Sequence, residues 1–252
     1  MTTASDISAS KLPGTRPGRL LLAIPSKGRM MEDCVALLGR AGMTLRQSGN
    51  TRGYRREIEG EDDIDVIFVS ASEIARQLKA GAIHLGITGE DLIREEIINW
   101  EQRVEIVTKL GFGQADVVVA VPACWLDVAN MGGLQEMARA FHRAHGRRLR
   151  VATKYMNLTR TFFREKGVAD YLIVESLGAT EGTPASGTAD MIVDITSTGA
   201  TLKANALKIL GDGVILKSEA NLVASRAAVR SPAAAAAEAR VVAAVKAALA
   251  AG

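Results

Sequence analysis

The stretch EGTPASGTADMIVDITSTGATL, residues 181–202, decides how this chain reads. Within it, 191–195 is an apolar run broken by one acid, Asp194, and suits a strand buried in a sheet. Thr196-Ser197-Thr198-Gly199-Ala200-Thr201 follows, and the spacing predicts a helix over 202–210. Small hydroxyl residues and a glycine at that junction let backbone N–H groups approach a phosphate, and the following helix dipole favours its charge. Asp190 and Asp194 stand four apart in extended chain, so the period of two points both to one face. A carboxylate just before a phosphate loop suits ribose hydroxyls. Together these residues point to a phosphoribosyl ligand. A plain strand–turn–helix with Thr and Ser caps accounts for them as well.

Outward from this segment, strands alternate with helices. Residues 20–24 form a continuous apolar run of the kind buried in a parallel sheet. PSKGR, 25–29, follows, then a helix whose Met31, Cys34, Val35 and Leu38 share one face until Gly42 stops it. Residues 64–69 read as the next strand. Ser70 and Glu73 have capping-box spacing and open a helix to about Lys79, ended by Gly81. A strand over 82–88 and a helix from Gly89-Glu90-Asp91 complete a series that argues for parallel crossovers. After strands at 104–110 and 117–121 a second series follows: helix 134–145, strand 149–153, helix 157–166 and strand 171–175. Strands at 214–217 and 222–224 precede an Ala-rich terminal helix with Val241, Val245, Ala248 and Leu249 on one face.

Composition bounds the function. The 252 residues are 48% hydrophobic, enough for a sizeable core in one or two domains. With 31 basic and 28 acidic residues the net charge is +3, too balanced for a polybasic nucleic-acid binder, and 4% aromatics make a base-stacking surface a poor fit. Cys34 and Cys124 lack metal spacing and read as reduced core thiols; His84, His142 and His145 build no zinc site. His142 and His145 read as a solvated helix end in a basic run. No apolar run approaches a membrane span, and residues 1–18 read as a mobile tail, not a secretory signal, of a cytoplasmic protein.

Other loops carry charge or glycine at strand ends. In Ser26-Lys27-Gly28-Arg29 the glycine gives backbone access while Lys27 and Arg29 supply charge for phosphate. A polar turn reads equally well. Arg52, Arg55 and Arg56 around Tyr54 suit a solvated hairpin better than a ligand clamp. Gly89, Glu90 and Asp91 also lie at a strand's carboxyl end, where α/β sheets bind ligands, though both acids suit helix capping.

Glu181, Gly187, Ala189, Ile192, Asp194, Ile195 and then Thr198-Gly199-Ala200-Thr201-Leu202 resemble the motif of the ATP phosphoribosyltransferase family, which starts histidine biosynthesis. PSKGR, LGITGEDLI at 85–93, LGFG at 110–113 and RVATKYMNLTRTFF at 150–163 extend the resemblance over nearly all the chain from residue 19. It departs at Met156, where the family often has proline, and around Arg52, where the spacing is hard to align. The family's long form carries a further C-terminal regulatory domain, and this chain resembles the short, catalytic-subunit form.

The resemblance implies a two-domain, periplasmic-binding-protein-like α/β fold with the active site in the interdomain cleft. Domain I would be 19–110 plus 226–252 and domain II 111–225. The implied reaction joins ATP and phosphoribosyl pyrophosphate into N1-phosphoribosyl-ATP and pyrophosphate. In it Thr196, Ser197, Thr198, Gly199, Ala200 and Thr201 would hold the 5′-phosphate. Asp194 and Glu181 would hold the ribose hydroxyls, supported by Asp190. Lys27, Arg29 and Arg52 would act on the phosphates as catalytic cations. Lys27, Gly28, Arg29, Gly89, Glu90 and Asp91 would bind ATP. Mg2+ would be held mainly by substrate oxygens. The implied assembly is a homodimer within a hetero-oligomer containing a regulatory subunit similar to histidyl-tRNA synthetase. Two other classes compete: a solute-binding module, since the implied fold is shared with such proteins, and an ordinary purine or pyrimidine phosphoribosyltransferase. The latter usually has two adjacent acids before its phosphate loop, where Val193-Asp194-Ile195 has one.

Overall fold

The computed structural model describes residues 16, 18–47 and 55–251; the expected mobile tail lies almost wholly outside the described residues. In chain order the elements are β1 (Leu20–Pro25), α1 (Gly28–Arg40), β2 (Leu45–Gln47), β3 (Arg55–Ile58), β4 (Glu61–Val69), α2 (Ala71–Ala80), β5 (Leu85–Gly89), α3 (Glu90–Glu96), α4 (Trp100–Arg103) and β6 (Val104–Lys109). Then come β7 (Ala115–Pro122), α5 (Met131–His145), β8 (Leu149–Thr153), α6 (Met156–Glu165), β9 (Tyr171–Glu175), β10 (Met191–Thr196), α7 (Ala200–Ala204), β11 (Leu207–Ser218), β12 (Ala220–Ser225) and α8 (Pro232–Ala250). A single 3-10 turn, Thr180–Gly182, precedes β10.

Two compact units result. Residues 114–218 form the second; the described residues up to Gly113 and those from Glu219 onward form the first. The first unit's sheet has the order β2-β3-β4-β1-β5-β12-β6. Its centre is parallel, β1 lying between β4 and β5. Leu20, Leu22 and Ile24 pack in one core with Cys34, Leu38, Val241 and Val245, while Leu21 and Ala23 pack in another with Ile74, Leu78 and Ile93. Helices thus cover both faces of β1, which is why its sequence is apolar at every position. Ser70 caps α2 by accepting the Glu73 N–H at 3.3 Å, while Glu73 turns its carboxylate to Gln77 and Arg76.

The structure corrects several expectations. β12 runs between β5 and β6 and antiparallel to both, so residues 220–225, placed with domain II by sequence, are a strand of the first unit. The predicted helix over 202–210 is the short α7 followed by the start of β11. Ala206 reverses the chain at a φ of 54°, and Leu202 and Leu207 both reach the core on β7 and β10. The basic group at 55–56 belongs to a hairpin, as read, but it is only partly solvated: Arg55 pairs with the buried Asp65, and Arg56 lies over the Phe68 ring. Cys34 is buried as expected, whereas Cys124 is exposed. No helix among the described residues is long and apolar enough to cross a membrane.

His84 ties the first unit's sheet to the approach of α8. Its Nδ1 accepts the Leu21 N–H at 3.0 Å, so its proton sits on Nε2, which donates to the Val229 carbonyl at 3.2 Å. Burial pushes this imidazole below its usual range, and nearby Arg230 adds to the effect. The unfolded state therefore takes up a proton before the folded one does. Stability from this group is complete above about pH 6.5 and is lost as pH falls toward the folded value. Wild type should lose more melting temperature between about pH 7.5 and 5.5 than His84→Gln. Equal losses would remove His84 from the acid response.

Candidate active site

The second unit's sheet has the order β11-β7-β10-β8-β9. β10 is parallel to β8 and antiparallel to β7. At the carboxyl end of β10 the chain turns on its own hydroxyls. Thr196 Oγ1 accepts the Gly199 N–H at 2.8 Å, Thr198 Oγ1 accepts the Ala200 N–H at 3.3 Å, and Ser197 Oγ donates to the Gln114 carbonyl at 2.8 Å. Gly199 makes this turn possible with a φ of 73°, in the left-handed region. Because α7 spans only 5 residues, the turn owes its shape to these hydroxyl hydrogen bonds, and little of the expected helix dipole is present.

A cavity of about 340 Å³ opens beside the turn, lined by Ala115, Glu181, Asp194, Ile195, Thr196, Ser197, Thr198, Thr201 and Leu202. The fold thus brings Glu181 and Asp194 together with the hydroxyl loop, while Gly199 and Ala200 carry the bend. Asp194 Oδ1 accepts the Ile195 N–H at 2.8 Å. Burial pushes the Asp194 carboxyl up and Glu181 adds to this; the Ile195 N–H, Lys154 and the Thr180 hydroxyl oppose it. Lys154 and Thr180 escaped the sequence reading as site residues. A lysine one residue past the end of a parallel strand was the available signal for the first; nothing marked the second.

Asp190 is not part of this cavity. It precedes β10, and the ~3.3 Å rise per residue puts it roughly 13 Å from Asp194. There it binds Arg147 through both oxygens, at 2.7 and 3.0 Å. It also accepts the Arg150 N–H at 2.7 Å and the Arg150 guanidinium at 3.2 Å. Burial works against its ionisation, but these guanidiniums hold the carboxyl well below the usual range. Its role is to tie the start of β10 to β8.

In the first unit, Lys27 precedes α1 and Gly28 and Arg29 are its first two residues; all three are exposed. Arg29 is 91% exposed, with only a loose approach to Asp33 at 3.9 Å. β5 neighbours β1, so Gly89, Glu90 and Asp91 lie at the same sheet edge. Glu90 and Asp91 are buried, and Glu90 is paired with Arg94 at 2.6 Å. Arg52 lies outside the described residues. Among the described residues no three acidic, histidine or cysteine groups converge on a metal position.

A family profile described as ATP phosphoribosyltransferase matches residues 70–246. The chain belongs to the ATP phosphoribosyltransferase family. The ATP phosphoribosyltransferase of Bradyrhizobium sp. (strain ORS 278) is 59% identical over 209 residues, 83% of this chain and 64% of that one. The ATP phosphoribosyltransferase of Mesorhizobium japonicum is 58% identical over 210 residues, 83% of this chain and 90% of that one. The chain thus spans a little under two thirds of the Bradyrhizobium relative and nine tenths of the Mesorhizobium one. Among solved structures, the ATP phosphoribosyl transferase (HisG:HisZ) complex from Thermotoga maritima matches with a TM-score of 0.67 at 25% identity, covering 92% of this chain and all of that chain. The periplasmic VFT2 domain of Bordetella pertussis BvgS matches with a TM-score of 0.51 at 12% identity over 92% of this chain and 87% of that one, a likeness of fold alone. This ATP phosphoribosyltransferase family member therefore has the two-domain, periplasmic-binding-protein-like α/β fold expected from its sequence.

Proposed function

We propose that this chain transfers the phosphoribosyl group of phosphoribosyl pyrophosphate to N1 of ATP, the first step of histidine biosynthesis, in the cytoplasm. The observation that carries this reading is the cavity that sets Glu181 and Asp194 beside the hydroxyl turn 196–201. One pentose bearing a vicinal diol and a 5′-phosphate uses both halves of it. Adenine N1 attacks with its own lone pair. The N1–C1′ bond forms as the bond to pyrophosphate breaks, and no proton has to be removed. A general base is therefore unnecessary, and catalysis consists of positioning the pentose and stabilising the departing anion. Asp194 and Glu181 accept the ribose hydroxyls and the turn holds the 5′-phosphate. Lys27 and Arg29 meet the phosphates of ATP or of the leaving group, and Gly28 gives the backbone access there. Mg2+, when bound, would be held mainly by the pyrophosphate oxygens and would screen their charge.

The Thermotoga neighbour is a HisG:HisZ complex. We extend that association to this chain as a homodimer that joins a regulatory subunit similar to histidyl-tRNA synthetase. Size-exclusion chromatography of the mixture should show a larger species than either component alone.

The deciding experiment mixes the purified chain with ATP, Mg2+ and phosphoribosyl pyrophosphate, with and without that subunit, and follows N1-substituted adenine by ultraviolet absorbance. Uptake of the pentose without pyrophosphate release would instead identify a solute-binding module, and turnover of free bases but not ATP an ordinary phosphoribosyltransferase. Arg29→Ala should lower kcat/KM by about 10- to 100-fold, the worth of one charged hydrogen bond to phosphate, with no change in melting temperature, because the side chain is 91% exposed. An unchanged rate would remove Arg29 from the reaction.

A further inference from the structure

We infer that Lys154 is a positioning residue of the phosphoribosyl site: its ammonium keeps Asp194 an ionised acceptor for the diol and lets a cavity lined by two carboxylates admit a polyanion. This inference rests on the proposed function and assigns a role to a residue outside the loop and the acids that define the site.

The geometry follows from strand register. β8 and β10 are parallel, with Val151 opposite Met191 and Ala152 opposite Ile192. Ala152 and Ile192 share one core, so both face the same side of the sheet. Lys154 follows β8 by one residue and Asp194 lies two residues beyond Ile192 on β10, so both sit at the same end of these paired strands, where their charges interact. The backbone there is fixed. Thr153 Oγ1 accepts the Tyr155 N–H at 2.8 Å, and Tyr155 is wholly buried. The Lys154 ammonium lies 4.9 Å from the centroid of the Tyr155 ring. A long, flexible side chain is thereby held near its working position before any substrate arrives.

The charges around Asp194 make this placement consequential. Glu181 faces it from the 3-10 turn across the cavity. On β7, Asp116 stands opposite Thr196, one alternate position beyond Asp194, and Lys217 of β11 stands opposite Asp116. Burial and Glu181 both favour protonation of Asp194, while the Ile195 N–H, Lys154 and the Thr180 hydroxyl favour its charged form. Lys154 is the only full positive charge in that set. Without it the cavity presents two partly desolvated carboxylates to a substrate carrying phosphate and pyrophosphate, and the site repels what it must bind.

The test compares wild type, Lys154→Met and Lys154→Arg across the whole pH range in which the protein stays folded. In Lys154→Met, KM for phosphoribosyl pyrophosphate should rise about tenfold at neutral pH, with kcat changed by no more than about twofold. The acid limb of kcat/KM for that substrate should move to higher pH, because Asp194 protonates more readily once the ammonium is gone. Lys154→Arg should restore both values toward wild type, and KM for ATP should stay put. Calorimetry with Mg2+ and phosphoribosyl pyrophosphate, without ATP, should show the same loss and rescue in affinity. A methionine variant with wild-type KM and an unmoved acid limb overturns the role of Lys154 while leaving the proposed reaction intact. A wild-type chain that neither binds phosphoribosyl pyrophosphate nor releases pyrophosphate overturns both.

Discussion

Gly199→Val should lose uptake of phosphoribosyl pyrophosphate while the rest of the second unit stays folded. Gly199 sits at a φ of 73° with nothing within 4 Å of the position a Cβ would take. The substitution therefore causes no clash. Its cost is conformational, roughly 1–2 kcal/mol for an L side chain in the left-handed region and more for a β-branched one. The backbone relieves that strain by rotating away, which breaks the Gly199 N–H bond to Thr196 Oγ1. The turn then loses the shape it presents to the cavity, and we expect calorimetric affinity to fall by at least about 100-fold, the scale of two lost charged hydrogen bonds. Gly199→Ala should fall between wild type and valine. Normal affinity in the valine variant would refute the phosphate cradle.

Asp190→Ala has the opposite signature. It removes the acceptor shared by Arg147, Arg150 and the Arg150 N–H and leaves two guanidiniums facing each other. Arg147 is exposed and Arg150 partly so, so solvent screens much of the loss, which is about 1–2 kcal/mol. At about 2–4 °C per kcal/mol for a chain of this size, the melting temperature of the second unit should drop by roughly 2–8 °C. KM for phosphoribosyl pyrophosphate should hold, since Asp190 lies away from the cavity. The sign with pH is also fixed. The folded carboxyl titrates below the ordinary value of 3.8, so its stabilisation is complete above that value and disappears as pH falls through the folded one. Thermal melts at neutral pH and near pH 3 should therefore differ less in the variant than in wild type. A variant that melts normally but binds the pentose poorly would return Asp190 to the site.

Much of this was legible in the sequence, for identifiable reasons. The strand at 20–24 read correctly because helices cover both its faces and force every position to be apolar. Ser70 and Gly81 marked the ends of α2 because a cap and a left-handed residue leave local chemical signatures. The turn at 196–201 was recognisable for the same reason. What failed depended on tertiary partners. Asp190 and Asp194 look equivalent by spacing, and only the arrival of Arg147 and Arg150 from a different part of the chain separates their roles. The segment 207–210 has helical periodicity, yet pairing with β7 makes it strand. Lys154 carried no motif of its own, because its meaning lies in strand register.

The chain leaves the first unit after Gly113 and re-enters it at Glu219, and β12 is the strand that joins β6 to the rest of its sheet. During synthesis β6 therefore emerges from the ribosome with no neighbour to accept its backbone bonds, and stays so while about 100 further residues are made. The second unit, by contrast, is contiguous and has all its strands available by Ser218. It follows that the middle of this polypeptide completes its hydrogen bonding before the N-terminal portion does, and that a nascent chain stalled short of residue 220 exposes an unpaired edge. Chaperone capture should be strongest for nascent chains of that length.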